Sequence, residues 1–339
     1  MRNFQYSSSL RYAERNLVRT CLTVLVLLSL TPCGAHTADT YPGKPIRIII
    51  TVAPGGGADI TARAIGQKLI EAWGQQVIVD NRPGGNGIVG MDLGAHATPD
   101  GYTIIEGTIG PVAVNPSLYR KLPYDPVNDF APIARAVSAL NMLVVHPALP
   151  VHSVKDLISY ARANPAKLNF GSSGVGFADH LAGELFNTLA GVKMQHVPYK
   201  GGAPAMIDLI GGNVQLIFAT VSTAITHVKA GRIRALAVTS AKRVGQFADL
   251  PTVAEAGVPG FAVDNWYGFL APRGVAKPIV SKLHREINRI LGLPDVIERL
   301  AGLGIFPFPA PAPEDFGDYI KSEIRKYAKV VQDSGARVD

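Results

Sequence analysis

Cysteine is nearly absent: the 339 residues include 2. That excludes a disulfide-dense scaffold, an iron–sulfur protein and a multi-cysteine zinc site. Charge is scarce as well, at 17% of residues against roughly 25% in an average protein. The basic residues are dispersed, and pairs such as Arg120-Lys121 and Lys242-Arg243 stand far apart. A nucleic-acid-binding chain would gather them on one face with aromatics between them, so that class is set aside. There is no block of like charge and no three-residue glycine period, which removes collagen-like chains. A repeat of roughly 20–50 residues, the mark of a solenoid, is missing too. The eight histidines form no His-Glu-x-x-His pattern, so neither a metal site nor a cofactor is expected. What the chain does have is 47% hydrophobic residues, 35 Gly and 25 Pro. This composition describes a turn-rich globular protein of about two domains with ample core.

Residues 1–35 differ from the rest. Arg2, Arg11, Arg15 and Arg19 precede an apolar run from Cys21 to Leu30, followed by Pro32, Cys33, Gly34 and Ala35. A basic region, a short apolar region and a small-residue ending make a secretory signal peptide. About ten apolar residues are too few for a bilayer, which needs about twenty. Cleavage after Ala35 and lipidation at Cys33 are the two processing routes. Removing 1–35 lowers the net charge from +7 to about +4 and takes both cysteines. The mature chain is expected to be exported, periplasmic and thiol-free.

From Lys44 onward short apolar strands alternate with amphipathic helices. Strands are expected at 45–53, 76–81 and 102–106, with helices over 59–73 and 88–97 between them. The rhythm returns with strands at 141–146, 168–171, 195–198, 214–219 and 233–239. Helices between these begin near Ser153, Asp179, Ala203 and Thr223, with Ser153 and Asp179 as N-caps. Beyond Lys277 the tail is helical at 277–291, 294–300 and 314–332, and Pro307 to Pro313 forms a stiff extended connector. This is an α/β pattern of parallel β-α-β units with helices on both sheet faces. If strands 141–146 and 233–239 run side by side, they bracket a middle lobe. The chain then divides into one lobe at 41–140 plus 237–339 and a second at 141–236, with a binding cleft between them.

Four loops between strand and helix carry the chemistry. Pro54-Gly55-Gly56-Gly57-Ala58-Asp59 places free N–H groups at a helix start, an anion-binding arrangement. It is neither a dinucleotide fingerprint nor a P-loop, because Ile60 stands at the third glycine and no Gly-Lys-Ser/Thr follows. Asp59 also reads as a plain cap paired with Arg63. Gly171-Ser172-Ser173-Gly174-Val175-Gly176 repeats the arrangement; Val175 breaks the Gly-x-Ser-x-Gly elbow of a hydrolase. Val197-Pro198-Tyr199-Lys200-Gly201-Gly202 and Ala219-Thr220-Val221-Ser222-Thr223 complete the set, with Gly107-Thr108 at the end of the third strand. In open sheets such loops gather ligands at the strands' carboxyl ends. Replacing Gly57 by Val is expected to block ligand approach while leaving the fold's stability unchanged.

These residues resemble the Bug family, extracytoplasmic solute-binding proteins of tripartite tricarboxylate transporters. The resemblance rests on Tyr41-Pro42, Lys44-Pro45-Ile46-Arg47, the loop from Pro54 to Arg63, and Asp80-Asn81-Arg82-Pro83-Gly84. It continues through Pro99-Asp100-Gly101-Tyr102-Thr103, Asn115-Pro116-Ser117-Leu118-Tyr119, Leu122-Pro123-Tyr124-Asp125-Pro126 and Asp129-Phe130. Val197-Pro198-Tyr199-Lys200-Gly201, Leu250-Pro251-Thr252 and Asn265-Trp266-Tyr267-Gly268 extend it across nearly all of the mature chain. The resemblance implies a two-lobed periplasmic-binding-protein fold of type II character, two Rossmann-like sheets joined by two hinge strands. It implies a monomer without catalysis that takes a small carboxylate (a di- or tricarboxylate, acidic amino acid or aromatic acid) and presents it to a membrane permease. By position, Gly57, Ala58, Asp59 and Thr108 are the ligand-binding candidates of the first lobe. Ser172, Ser173, Gly174, His180 and Thr220 are those of the second. The rival readings are an exported hydrolase-like enzyme using Ser172, Ser173 or His180, and a ligand-sensing partner of a signalling receptor.

Overall fold

A computed structural model describes residues 41–334; the expected signal peptide lies outside them. Four strands come first: β1 (Ile46–Ile50), β2 (Val77–Asn81), β3 (Thr103–Thr108) and β4 (Phe130–Ala139). Five follow: β5 (Asn141–Val145), β6 (Asn169–Ser172), β7 (Gln195–Pro198), β8 (Leu216–Thr220) and β9 (Arg234–Val238). The last two are β10 (Trp266–Pro272) and β11 (Ile305–Pro307). They form two sheets, ordered β11-β4-β10-β3-β1-β2 and β7-β6-β8-β5-β9.

Each sheet is parallel on one side and antiparallel on the other. In the first, β1 lies parallel to both β2 and β3, with Ile48 opposite Val79 and Ile104. Four isoleucines in five residues suit such a strand, buried on nearly every position between covering helices. Then β10 runs antiparallel to β3 and to β4, placing Tyr267 opposite Thr108. The second sheet repeats this, with β6 parallel to β7 and β8 and β5 antiparallel to β8 and β9. An all-parallel reading therefore holds for the β-α-β cores and fails beyond them. β4 and β10 escaped the sequence pattern because Pro132, Gly268 and a run of alanines carry low strand propensity.

The helices connecting the strands are α1 (Gly57–Trp73), α2 (Ile88–Ala95), α3 (Asn115–Leu118), α4 (Val154–Ala163), α5 (Ala178–Ala190), α6 (Gly202–Ile210) and α7 (Val221–Lys229). The tail adds α8 (Lys277–Leu291), α9 (Pro294–Ala301) and α10 (Pro313–Ser334). α8 shows why periodicity succeeds here. Ile279, Val280, Leu283, Ile287, Ile290 and Leu291 recur at three- and four-residue spacing and are buried, each stabilising the fold by about 1.5–3 kcal/mol. Among the described residues no helix is long and apolar enough to cross a membrane.

The two sheets meet where the chain passes between them. Leu140 separates β4 from β5; its N–H donates to Gly304 O and its carbonyl accepts from Val221 N–H. The return path leaves β9 at Thr239, whose N–H donates to Asn141 O, and Ala139 N–H donates to Asn265 O ahead of β10. The strands expected to bracket the middle portion do run side by side, with Met142 opposite Val238. Both belong to the second sheet, so the crossings fall just outside them.

Candidate functional site

The carboxyl ends of β1, β3, β6 and β8 point toward one cavity between the sheets, about 40 Å³ measured as room for water centres. That is space for about three waters. The first-sheet wall is Val52, Gly56, Gly57, Ala58, Thr108, Asn265 and Tyr267; the second is Asn141, Ser173, Phe177, Ala178, Asp179, Gly202, Thr220 and Thr223. A neighbouring space of about 200 Å³ shares Val52, Ser173 and Phe177 and adds Thr51, Asn86, Tyr199 and Lys200. The walls also touch directly, Ala53 N–H donating to Lys200 O at 3.0 Å.

Four helices, α1, α5, α6 and α7, begin at this cavity. In none does the N-cap residue's side chain hydrogen-bond to the first turn, although in α5 Asp179 Oδ1 accepts from His180 N–H. By contrast α4, which starts elsewhere, is capped by Ser153 accepting from Asp156 N–H at 3.1 Å. First-turn N–H groups have no partner inside their own helix, and the helix dipole makes that end positive. Thr108 Oγ1 is buried at the same place without a partner. No lysine or arginine lines the cavity. It therefore offers donors through backbone amides and hydroxyls.

Asp59 is turned away from the cavity. Its carboxylate accepts from Gly55 N–H at 3.0 Å and pairs with Arg63 at 2.9 Å. Burial opposes its charge, but Arg63, Gly55 N–H and Asn81 outweigh that and hold it below the ordinary value. Gly56, not Asp59, is the N-cap of α1. Asp179 likewise sits inside the first turn of α5 and is not its cap, which is Phe177. Its Oδ2 accepts from Ser173 N–H and Ser173 Oγ–H, both at 2.6 Å, and its Oδ1 from His180 N–H. Burial pushes it up to about 6 against those three donors.

Behind the walls lie further titratable groups. Glu106 is fully buried on β3 with neither carboxyl oxygen hydrogen-bonded. Burial, with the charge of Asp59, raises it well above the ordinary glutamate value. His180 and His196 stack 4.0 Å apart beside Phe170. Burial lowers His180 to about 4, and burial with His180 alongside lowers His196 to about 3. His180 Nδ1 accepts from Gly176 N–H, and His196 Nε2 lies 2.5 Å from Ser172 Oγ. The neutral pair thus props the loop between β6 and α5 from behind.

Of the residues singled out in the sequence, Gly57, Ala58, Thr108, Ser173 and Thr220 come together on the cavity. Asp59, Ser172, Gly174 and His180 lie outside its lining. Sequence reasoning passed over Asn141, Asn265, Tyr267, Thr223 and Asp179. Asn265 and Tyr267 stood within a quoted motif, but nothing local placed them opposite Thr108. One expectation needs correction. A Cβ on Gly57 would stand 2.6 Å from Tyr267 OH and 2.9 Å from Ser222 Oγ, so this glycine is required by packing across both walls.

The family described as the tripartite tricarboxylate transporter family receptor matches residues 61–336. BugT of Bordetella pertussis is 34% identical over 325 residues, 95% of this chain and 99% of that protein. Two solved structures are similar throughout. The R. palustris protein Rpa4515, solved with adipate, shares 39% identity at a TM-score of 0.85, covering 88% of this chain and all of that one. MatC from Rhodopseudomonas palustris, with bound malate, shares 32% at 0.81, covering 86% of this chain and all of that one.

Proposed function

This chain belongs to the tripartite tricarboxylate transporter receptor family, the Bug proteins, and from that premise we propose that it is a periplasmic receptor for one small carboxylate. The observation that carries the reading is the meeting of four helix N-termini, none closed by its N-cap side chain, at one cavity without lysine or arginine. A carboxylate there accepts from first-turn amides of α1 on one wall and of α5 to α7 on the other. Ordered waters fill the remaining distance at little cost in affinity. Because both walls donate to one anion, binding favours the closed arrangement by its differential affinity for it. The moving bodies are the lobes 41–140 with 237–339 and 141–236, and a membrane permease reads the closed, monomeric receptor.

The hydrolase alternative finds little support in Ser172. It is fully buried, its Oγ donates to Gly174 O, and burial with His180 alongside lowers the histidine beside it to about 3, which makes it a weak base. Calorimetric titration of the purified protein with mono-, di- and tricarboxylates tests the proposal. Saturable one-to-one binding with the ligand recovered unchanged is expected. Turnover of the ligand, or no heat with any carboxylate, overturns it.

A further inference from the structure

The cavity has opposite characters at its two ends. Toward α1 it is lined by Gly57 and Ala58, which have only backbone polar groups, whereas toward α5 it is lined by the acidic residue Asp179. A carboxylate has about four acceptor positions. Three of those on Asp179 are filled, by Ser173 N–H, Ser173 Oγ–H and His180 N–H. These donors, with its own N–H alongside, fix it as an acceptor at the wall, 5% exposed. No lysine or arginine lines the cavity to pair with that charge, and Lys200 lines only the neighbouring space.

We propose that Asp179 sets the ligand class by receiving a ligand ammonium, so that the preferred solute is an amino acid held by its carboxylate at α1 and its amine at α5. This rests on the carboxylate reading above and narrows it. A plain dicarboxylate entering the same cavity brings a second anion against a buried one, where the low dielectric magnifies repulsion. An ammonium there forms a charge-assisted hydrogen bond to an acceptor already in position. The site therefore discriminates between two solutes of the same carbon skeleton by one amino group.

The test compares skeleton-matched probes by calorimetry at neutral pH: aspartate with succinate, glutamate with glutarate, phenylalanine with 3-phenylpropionate. In at least one pair the amino member is expected to bind tenfold or more tightly. Asp179→Asn, which keeps an acceptor for Ser173, is expected to weaken that member at least tenfold and to strengthen its plain partner. Equal or tighter binding of the plain acid in every pair overturns the proposal while leaving the carboxylate reading intact. So does an amino preference that survives Asp179→Asn. Absence of binding by all six probes, with other carboxylates also silent, overturns both. If the variant does not fold, as judged by its melting curve, the wild-type pairs decide the matter alone.

Discussion

Glu106 on β3 and Asp179 in α5 are two deeply buried carboxyls, and the structure treats them in opposite ways. Glu106 receives no hydrogen bond at all, and burial raises it well above its ordinary value. Asp179 receives three and is pushed only to about 6. Burial alone does not set the charge of a buried acid; the number of donors aimed at it does. The difference extends to the walls these residues belong to. The first-sheet wall meets the cavity with Gly56, Gly57 and Ala58 beside Thr108, Asn265 and Tyr267, and it hides its acids, one raised well above its ordinary value and one ion-paired. The second-sheet wall meets it with side chains, Ser173, Asp179, Thr220 and Thr223. Backbone amides recognise what all carboxylates share; side chains distinguish among them.

The sharpest way to break this division is at Gly57. Valine there drives carbon into Tyr267 and Ser222, one from each wall. Binding of every carboxylate is expected to fall more than a hundredfold. Overpacking should also cost about 1–3 kcal/mol of stability, seen as a lowered melting temperature without ligand. A variant that melts like wild type would mean that the two walls do not meet as closely as Tyr267 and Ser222 require. One that also binds normally would remove the loop from the site.

Glu106→Gln probes the same wall from behind. The native state keeps a proton on Glu106 at pH values where the unfolded chain, near its ordinary 4.5, has released it. The native state then binds more protons, so stability falls as pH rises, starting above about 4.5 and ending at the folded value. The slope is at most about 1.4 kcal/mol per pH unit. Glutamine carries no such proton. The difference in unfolding free energy between variant and wild type should therefore grow in the variant's favour from pH 5 to pH 7. Parallel pH profiles in denaturant titrations would show that Glu106 is ionised in the fold.

How much of this was legible beforehand follows the range of the interactions. β1, α1 and α8 announced themselves through isoleucine runs, a glycine loop and three-four spacing, all local signals. The glycines and hydroxyls that came to the cavity, Gly57, Thr108, Ser173 and Thr220, were found because loops at strand ends are where ligands gather. β4 and β10 were not, and with them went Tyr267. Its place opposite Thr108 depends on an antiparallel pairing more than a hundred residues apart in sequence. Asp179 was misread for a subtler reason. An acid just before an apolar helix looks like a cap, but the backbone turns through Gly174 and Gly176 with φ of 139° and 81°. That turn brings Ser173 back onto one carboxylate oxygen, while the other takes His180 N–H within the first turn. The proline connector was half right: Pro307 closes β11, and Phe308 N–H still donates to Ala136 O before the chain leaves the sheet.

The smallest effect expected concerns Arg63, and it separates hiding an acid from using one. Arg63 is about half exposed, so its attraction to Asp59 is screened by water, and Arg63→Met should cost under about 1 kcal/mol. Asp59 keeps Gly55 N–H and the Asn81 amide in the variant. Its folded value nevertheless moves up once the guanidinium is gone. In wild type the depressed value means that Asp59 contributes stability above its ordinary 3.8, lost as pH falls through the folded value. In Arg63→Met that contribution shrinks, so the variant's deficit against wild type should be seen near neutral pH and should close on acidification. Carboxylate affinity should stay within about twofold, because neither Asp59 nor Arg63 lines the cavity. A large loss of affinity with unchanged stability would place Arg63 in the site and make the first-sheet wall a cationic one after all.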